Sequence, residues 1–473
     1  MKWIVVPVLT ASLLAATAPV PKVGMPSQFA HVSGVAGTSS QPARLESWWR
    51  VFGDGTLNSL MERAAENNLD VHVALARVAE ARAARGVSKS ALLPSVSISA
   101  SVSKLRGGFA QGVTRISSSP GSGSLVSPFE SNIYQAGFDA RWELDLFGGL
   151  RNGVKAASAD LAAADEARRD VLLTVLAEVA RNYAELRGTQ EQLAIAHKNI
   201  AARRDTLELV RVRVDAGLAT QLDAEQQTAQ LASLESVVPA LEASELAAIH
   251  RLGVLLGEQP QTMLADLRTP APKLTDPDEV PVGLPGELLK RRPDVRRAEA
   301  EVYAAFARVG VARADLYPKF VITGLSGRQT TEFTGFTLGA GNFFAVGPGI
   351  EVPLFTAGRI RFNIAVQKAR LEQAVIRYRQ DVLAAMEETE NALAAYRAQH
   401  ERREKLTAAL TASRRAVALS EELYARGLAD FLTVLEAQRQ QYAAEDDLTR
   451  CDTQLVTQAV ALYKALGGGW EKQ

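Results

Sequence analysis

The chain has 473 residues, of which 47% are apolar and 6% aromatic, and its 53 basic residues balance its 53 acidic residues. This length allows two or three ordinary domains, and the neutral charge argues against a nucleic-acid partner. The single cysteine, Cys451, excludes an intrachain disulfide and a CxxC metal or redox motif.

The first 18 residues, MKWIVVPVLTASLLAATA, predict a cleaved secretory signal peptide. They combine Lys2, an apolar stretch and a small-x-small end at Ala16 to Ala18. We therefore expect an exported chain that begins with a flexible segment at residues 19–44. No later window is apolar over the roughly 18 residues that a spanning helix needs. An exported chain of this kind can still cross a membrane as β-strands.

The rest of the sequence consists of two copies of one unit. Shifts of 224, 208 and 210 residues align successive stretches of the chain with itself. The copies are predicted at 45–257 and 286–466, joined by a proline-rich linker at 258–285 and followed by a tail at 467–473. The aligned pairs include Asp70 with Asp294, Gly86 with Gly310, Pro94 with Pro318, Glu143 with Glu351, Arg151 with Arg359, and Gly217 with Gly427.

Each copy contains a pair of segments that alternate between apolar and polar residues, a pattern that predicts β-strands. The clearest is YQAGFDARWELDL, whereas the strand predicted at Lys319–Ser326 is weakly patterned. We predict hairpins at about 94–147 and 318–355. Loops rich in Ser, Gly and Thr are predicted at 105–131 and 327–342.

Such strands fit either a soluble β-sandwich or the wall of a transmembrane barrel. Two isolated hairpins are marginal in water, and secreted strands with one apolar and one charged face match a barrel wall. Four strands cannot close a barrel, so the barrel must be shared between chains. Charged side chains are expected to line its lumen, and their mixed signs predict weak selectivity; they are Asp139, Arg141, Glu143, Asp145 and Glu351.

Two helices of exceptional length are predicted at 154–216 and 359–426, each reaching roughly 100 Å. Each carries apolar and small residues at a 4-3 spacing, and the second has two adjacent stripes of this kind. Two stripes indicate two helical neighbours, as in the wall of a closed helical tube. Gly217 and Gly427 end these helices, where a glycine can adopt the left-handed capping conformation, and the chain then returns as an antiparallel helix.

Three stretches resemble the TolC/OprM-like outer-membrane efflux family, in its NodT-type subgroup. They are SWWRVFGDGTLNSLMERAAENNLDVHVALARV, LLKRRPDVRRAEAEVYAAFARVGVARADLYP and VGPGIEVPLFTAGRIR, and the resemblance runs from about residue 45 to 466. In the OprM branch a lipid-bearing cysteine often follows the signal. Here Pro19 and Val20 stand at that position, so anchoring by the barrel alone is expected.

The resemblance implies a homotrimer that is mostly α-helical with transmembrane β-structure. Each chain would give four strands to a twelve-stranded outer-membrane β-barrel surrounded by lipid, and its long helices to a periplasmic α-helical barrel. Such proteins are passive exit ducts for drugs or other small molecules. Their partners are a periplasmic adaptor and an inner-membrane pump of the resistance-nodulation-division type.

The resemblance also implies that the turns at Gly217 and Gly427 are tip turns at the periplasmic end of the tube, with an aperture just beyond them. Leu432 and Glu436 match its narrowing ring, in which many family members have Asp in place of Glu436. Asp223 and Tyr424 match a pair that bridges neighbouring helices in the closed tip.

Two other functional hypotheses stay open, namely a duct coupled to a type I protein-secretion system and a soluble coiled-coil adaptor. The alternating strands argue against the adaptor. The five histidines lack ligand-like spacing, and neither a GxSxG nor an HExxH motif is present. We therefore expect no enzymatic activity, no metal and no cofactor.

Overall fold

The structure is a computed structural model that describes residues 20–21, 24, 26–27, 29–30, 38–39, 47–108, 128–277, 280–282, 285–333 and 336–468. The predicted signal peptide, the position following it and most of the predicted loop at 105–131 lie outside these residues. The strands are β1 (Thr38–Ser39), β2 (Ser95–Gly108), β3 (Pro128–Leu144), β4 (Val280–Pro281), β5 (Lys319–Phe333) and β6 (Phe336–Glu351).

The helices follow a 3₁₀ turn at Trp48–Phe52. They are α1 (Gly55–Asn67), α2 (Leu69–Ser90), α3 (Gly149–Asp215), α4 (Gln221–Glu235), α5 (Val237–Leu255), α6 (Leu264–Leu267), α7 (Pro285–Arg291), α8 (Pro293–Ala314), α9 (Arg359–Ala425) and α10 (Phe431–Ala465).

Two compact units make up the described chain, and each takes parts of both sequence repeats. The first comprises residues 80–161 and 301–374, and the second comprises residues 20–79, 162–300 and 375–468 where they are described. The first unit therefore holds both β-hairpins, and the second holds both helical tip turns.

The first unit contains a four-stranded sheet in the order β2-β3-β5-β6, with every neighbouring pair antiparallel. The predicted loop at 327–342 is wrong, because β5 continues to Phe333 and β6 begins at Phe336. Ladder hydrogen bonds come from the backbone, so small and polar side chains suffice where one face is polar. The loop predicted at 105–131 is likewise shorter than expected, because β2 continues to Gly108 and β3 begins at Pro128.

The predicted alternation places large apolar side chains on one face of the sheet. On the edge strands β2 and β6, Ile98 is 75% exposed and Phe344 is 76% exposed. Exposure of this kind along the strands fits contact with lipid rather than with water. The other exposed apolar side chains of this face include Val96, Val102, Phe138, Val346 and Ile350.

Helices α3 and α9 confirm the two predicted rods, with 67 residues each. Within α3, Gly188 faces α10, and an added Cβ there would overlap the side chain of Thr453. The two helices therefore approach closely at this crossing. Among the helices of the described residues, none is both long and apolar enough to cross a membrane.

The two stripes predicted along α9 differ in their surroundings. The stripe containing Leu410 and Ser420 is buried or half-buried within the chain. The adjacent stripe is exposed, with Leu419 at 60%; its other members are Ala409, Ala412, Ala416 and Leu423. The exposed stripe leaves a helical face open to a further neighbour.

The core of the second unit is built around the WWRVFGD segment. The rings of Trp48 and Tyr463 stack at a centroid distance of 5.2 Å. Asp54 caps α1 by accepting a hydrogen bond from the Leu57 amide at 2.8 Å, and its other oxygen accepts one from the Tyr183 hydroxyl at 2.9 Å. The segment thus joins α1, α3 and α10.

The RRPD motif fixes the start of α8 to the end of α10. Arg292 Nη1 donates to the Ala465 carbonyl at 2.8 Å, and Nη2 binds Asp294 at 2.7 Å and Glu388 at 2.6 Å. Burial alone would lower the pKa of Arg292, but the bond to Asp294 and the charge of Glu388 outweigh it and raise the pKa. The guanidinium thus stays charged and links α8, α9 and α10 through its hydrogen bonds.

Some described residues of the N-terminal segment at 19–44 and of the linker at 258–285 are packed within the second unit. Phe29 is buried in the second unit, and β1 pairs in parallel with β4 of the linker. The linker also buries Leu267, and its Asp276 accepts a hydrogen bond from the Tyr396 hydroxyl at 2.9 Å. Proline interrupts regular structure but does not prevent packing, so the composition of the linker concealed its buried apolar residues.

Candidate functional site

The two tip turns have the same backbone geometry. Gly217 and Gly427 adopt φ angles of 72° and 69°, in the left-handed region. At the first, the Leu218 amide donates to the Arg213 carbonyl at 2.8 Å, and Leu428 repeats this bond to Leu423 at 2.9 Å. These are Schellman caps, so each long helix ends in a tight turn that starts an antiparallel partner.

The helices that leave the two turns are capped by the same residue pair in opposite order. Thr220 caps α4 and forms a capping box with Asp223, whose carboxylate accepts hydrogen bonds from the Thr220 amide and hydroxyl. Asp430 caps α10, and its carboxylate accepts from the amide and hydroxyl of Thr433. The hydrogen bonds from Thr433 lower the pKa of Asp430. Both helix starts are therefore rigidly defined.

Asp223 is thus engaged within its own turn. Each long helix and the helix that returns from its turn form a helical hairpin. Tyr424, in the hairpin of α9 and α10, contacts the hairpin of α3 and α4, because Arg213 Cζ lies 4.8 Å from the centre of the Tyr424 ring. Tyr424 also packs beside a small buried cluster that includes Phe431 and Leu435. Their predicted role as a bridge between neighbouring helices of the closed tip stays a prediction. Arg213 was missed by the sequence analysis, although its place in the last turn of α3 is where a cation favours a helix end.

The predicted aperture residues both lie on α10, one turn apart. Leu432 is 55% exposed. Glu436 is also exposed, and Arg439 binds it through two hydrogen bonds, from Nη2 at 2.8 Å and from Nε at 3.0 Å. Gln440 donates a third at 3.1 Å. The bonds from Arg439 and Gln440 lower the pKa of Glu436, so this carboxylate is charged but paired.

Four exposed leucines surround the two turns. Each turn contributes one leucine directly after its glycine and another in the first turn of the returning helix. Exposed apolar side chains grouped in this way typically mark an interaction surface. They are Leu218, Leu222, Leu428 and Leu432.

Above each turn, an arginine and a glutamate join the two arms of the hairpin. Arg204 binds Glu235 at 2.5 Å, and Arg414 binds Glu445 at 2.9 Å. The same 210-residue shift that relates the two tip glycines relates these two pairs, which the sequence analysis overlooked. We call them the hairpin clasps.

The two clasps differ in burial. Glu235 is exposed, whereas Glu445 is buried. Burial alone would raise the pKa of Glu445, but hydrogen bonds from Arg414, Gln441 and Asn199 outweigh it and lower the pKa. Arg414 and Gln441 both donate to Oε1 of this buried carboxylate, at 2.9 Å and 3.3 Å.

Four of the five charges predicted to face the lumen lie on one face of the sheet. Asp139, Arg141 and Glu143 alternate along β3, and Glu351 ends β6 opposite Lys319 of β5. Asp145 is different, because it follows the last residue of β3 and binds the amide and the Nε of Arg151 at 2.8 Å and 3.1 Å. It anchors the start of α3, and the strict alternation in the sequence did not reveal that the strand had ended.

The chain matches the family model described as outer membrane efflux protein over residues 60–258 and 284–468. It is 34% identical to the pyoverdine export outer membrane protein OpmQ of Pseudomonas aeruginosa, over 94% of this chain and 91% of the relative. It is 30% identical to the toluene efflux pump outer membrane protein TtgF of Pseudomonas putida, over 95% of this chain and 92% of that relative.

The solved structure of the outer-membrane channel OprN is similar to this chain with a TM-score of 0.84 and 33% identity. The match covers 96% of this chain and 99% of that structure. The chain therefore shares the fold of that channel over nearly its whole length. On these matches, the chain belongs to the outer membrane efflux protein family.

Proposed function

We propose that three copies of this chain form a passive exit duct for small molecules, closed at its periplasmic end by an aperture that contains Leu432 and Glu436. The sheet supports the first part of this proposal. Among the described residues, its edge strands β2 and β6 each pair with one strand, and unpaired strand edges do not occur in contact with lipid. Pairing β2 of one copy with β6 of the next closes the wall.

The helices support the same assembly. The exposed stripe of α9 presents Ala409, Ala412 and Ala416, and small residues allow neighbouring helices to approach closely. A second copy seated on this stripe would extend the helical wall from chain to chain. Three copies then form a tube whose tip is a ring of six turns, two from each chain.

The transported solute enters the duct from partner proteins. We infer that a periplasmic adaptor contacts the exposed leucines of the tip turns and that an inner-membrane pump of the resistance-nodulation-division type supplies the energy. The relatives named above are described as outer-membrane proteins of pyoverdine export and of toluene efflux. Export of two such different solutes by similar chains supports a duct that selects weakly.

The aperture assignment rests on the position of Leu432 and Glu436. Both side chains are exposed, lie one turn apart on α10 and directly follow a tip turn. When three copies assemble, these residues can narrow the lumen where the six turns converge. The Arg213–Tyr424 contact ties the turn of α9 to the turn of α3, so both hairpins must move when the aperture opens.

Conductance of the purified protein in a planar bilayer tests the duct, and we expect discrete channels of low open probability. Glu436→Ala and Asp223→Ala test the aperture and should raise the conductance and the passive leak of antibiotics into cells. Glu401→Ala is the control, because it changes an exposed glutamate of α9 outside the aperture; it should change neither the conductance nor the leak. A protein that forms no channels overturns the duct, whereas channels unaffected by both aperture variants overturn only the aperture assignment.

A further inference from the structure

An aromatic ring lies on the polar face of the sheet, the face that carries Asp139, Arg141 and Glu143. Gly137 of β3 pairs with Gly327 of β5, which pairs with Phe343 of β6. A Cβ added to Gly137 would lie 3.1 Å from Phe343 Cζ, and one added to Gly327 would lie 2.7 Å from it. The ring therefore extends across both glycines.

Each glycine also meets the opposite backbone, because a Cβ on Gly137 would lie 2.7 Å from the Ser326 carbonyl oxygen. Strands β3 and β5 thus approach so closely here that side chains are excluded, and Phe343 covers the gap. The residue is nevertheless only half-buried. Part of its ring stays open to the space in front of this face.

A second apolar side chain and a carboxylate lie beside the ring on the same face. Leu325 is 42% exposed and precedes Gly327 by two residues, which puts it diagonally opposite Phe343 at about 7–8 Å. Asp139 pairs directly with Leu325. It lies two strands away from β6, a separation of about 10 Å.

The carboxylate of Asp139 is held in place by Ser99, whose hydroxyl donates to Oδ2 at 2.5 Å. Arg141 lies two residues further along β3, on the side away from Phe343. A positively charged group therefore reaches Asp139 most favourably from the side of the ring. An aromatic ring face attracts the same kind of group through its quadrupole.

We propose that Phe343, Leu325 and Asp139 form a contact site for flat, positively charged organic solutes inside the duct. The proposal rests on the proposed function, because that function turns the polar face of the sheet toward the lumen. The solute would lie against the ring and Leu325 and direct its charge toward Asp139. Three such sites, one per chain, would stand at the same level of the barrel.

Block of bilayer conductance by ethidium tests the site. We expect concentration-dependent block that Phe343→Leu weakens by about two- to fivefold, since cation–π contacts at exposed sites contribute about 0.5–1 kcal/mol. Phe343→Leu keeps an apolar cover over the glycines, and Phe343→Tyr keeps the ring and should keep the block. Asp139→Asn should weaken the block by ethidium but not any block by a neutral aromatic solute of similar size.

Phe344→Leu is the matched control, because Phe344 is the next residue along β6 and lies on the opposite face of the sheet. Ethidium should block the conductance of this variant as strongly as that of the natural protein. Trimer migration on gels before and after heating reports whether each variant is assembled. If Phe343→Leu prevents assembly, Phe343→Tyr and Asp139→Asn decide the question. Normal conductance with equal ethidium block in Phe343→Leu and Asp139→Asn would overturn the site, whereas absence of channels in the natural protein would overturn the proposed function instead.

Discussion

At the scale of single residues, the carboxylate of Glu436 is bound on both oxygens by side chains of its own helix. The positive charge of each Arg439 balances the negative charge of the Glu436 with which it pairs at the aperture. In a trimer the pair therefore contributes no net charge to the ring. The acid of the proposed aperture thus acts as part of a dipolar pair, and the signs at the ring depend on both residues.

Arg439→Gln should make the channel more selective for cations, because three carboxylates are then left without their counter-charges. Reversal potentials in a salt gradient measure the change, and Glu436→Gln in the same chain should restore the original selectivity. Arg397→Gln is the control, since it removes an arginine from an exposed pair with Glu401 on α9, far beyond the roughly 10 Å over which charge acts in 0.1 M salt. Equal reversal potentials in all four proteins would contradict the charge balance described here.

Gly427→Ala should destabilise the protein by about 1–2 kcal/mol, because a side chain is strained in the left-handed conformation. Nothing near Gly427 would clash with the added methyl group, so the cost isolates the backbone. Gly86→Ala makes the same change within helix α2, also in open space, and should stabilise by up to about 1 kcal/mol. Thermal unfolding of the two variants should shift the midpoint in opposite directions; a common direction would argue against the capping role.

At the scale of elements, each tip hairpin is held by its cap and its clasp. The caps define where each helix begins and ends, and the clasps join the two arms further up. The contact between Arg213 and the Tyr424 ring also joins the second hairpin to the first. The hairpins should therefore be most mobile between the clasps and the turns.

Arg414→Ala should cost about 1–3 kcal/mol, because it leaves the buried Glu445 without its main donor. Arg204→Ala should cost less than about 1 kcal/mol, since Glu235 remains hydrated. The two variants are matched by the sequence repeat and differ in burial. Denaturant titration of both proteins measures the difference, and equal losses would show that the burial of Glu445 is unimportant.

The clasp of Glu445 also predicts a response to pH. The carboxyl pKa is lower in the folded chain than its ordinary value of 4.5. The stabilisation is therefore present above pH 4.5 and is lost as the pH falls through the folded pKa. Glu445→Gln should therefore reduce the decline in the free energy of unfolding below pH 4.5, and denaturant titrations at a series of pH values measure this decline.

Sequence reasoning was most successful for elements with a long uninterrupted period. The two rods, the tip glycines and the apolar face of the sheet follow from spacing alone. It failed at 327–342, where glycine, serine and threonine were interpreted as a loop although the backbone ladder continues through them. Arg439 and the clasps were also missed, because a polar residue on a helix surface shows its partner only when the neighbouring turns and arms are in place.

At the scale of the whole molecule, the described chain is incomplete as a membrane protein. Its sheet has two open edges, and one stripe of α9 has no helical neighbour among the described residues. Both deficits are removed by the proposed assembly of three chains. Outer-membrane insertion and assembly should then be inseparable steps.

Hydrogen exchange of the assembled protein should show edge strands β2 and β6 protected as strongly as the central strands β3 and β5. Pairing between chains supplies the missing ladder partners, whereas an isolated sheet leaves every second amide of an edge strand open to solvent. Detergent-solubilised protein that has been dissociated into monomers provides the comparison. Rapid exchange along β2 and β6 in the assembled protein would contradict closure of the barrel by these edges.

The close crossing of α3 and α10 at Gly188 makes α3 a lever with a fixed fulcrum. From Gly188 to Gly217 the helix extends about 43 Å at 1.5 Å per residue, and this span has no glycine or proline at which it could bend. A tilt of about 10° at the fulcrum would therefore carry the turn sideways by roughly 7 Å. Replacing Gly188 with a bulkier residue would move the fulcrum itself. The small displacement that one added methyl group causes in the middle of the rod would then become larger at its far end.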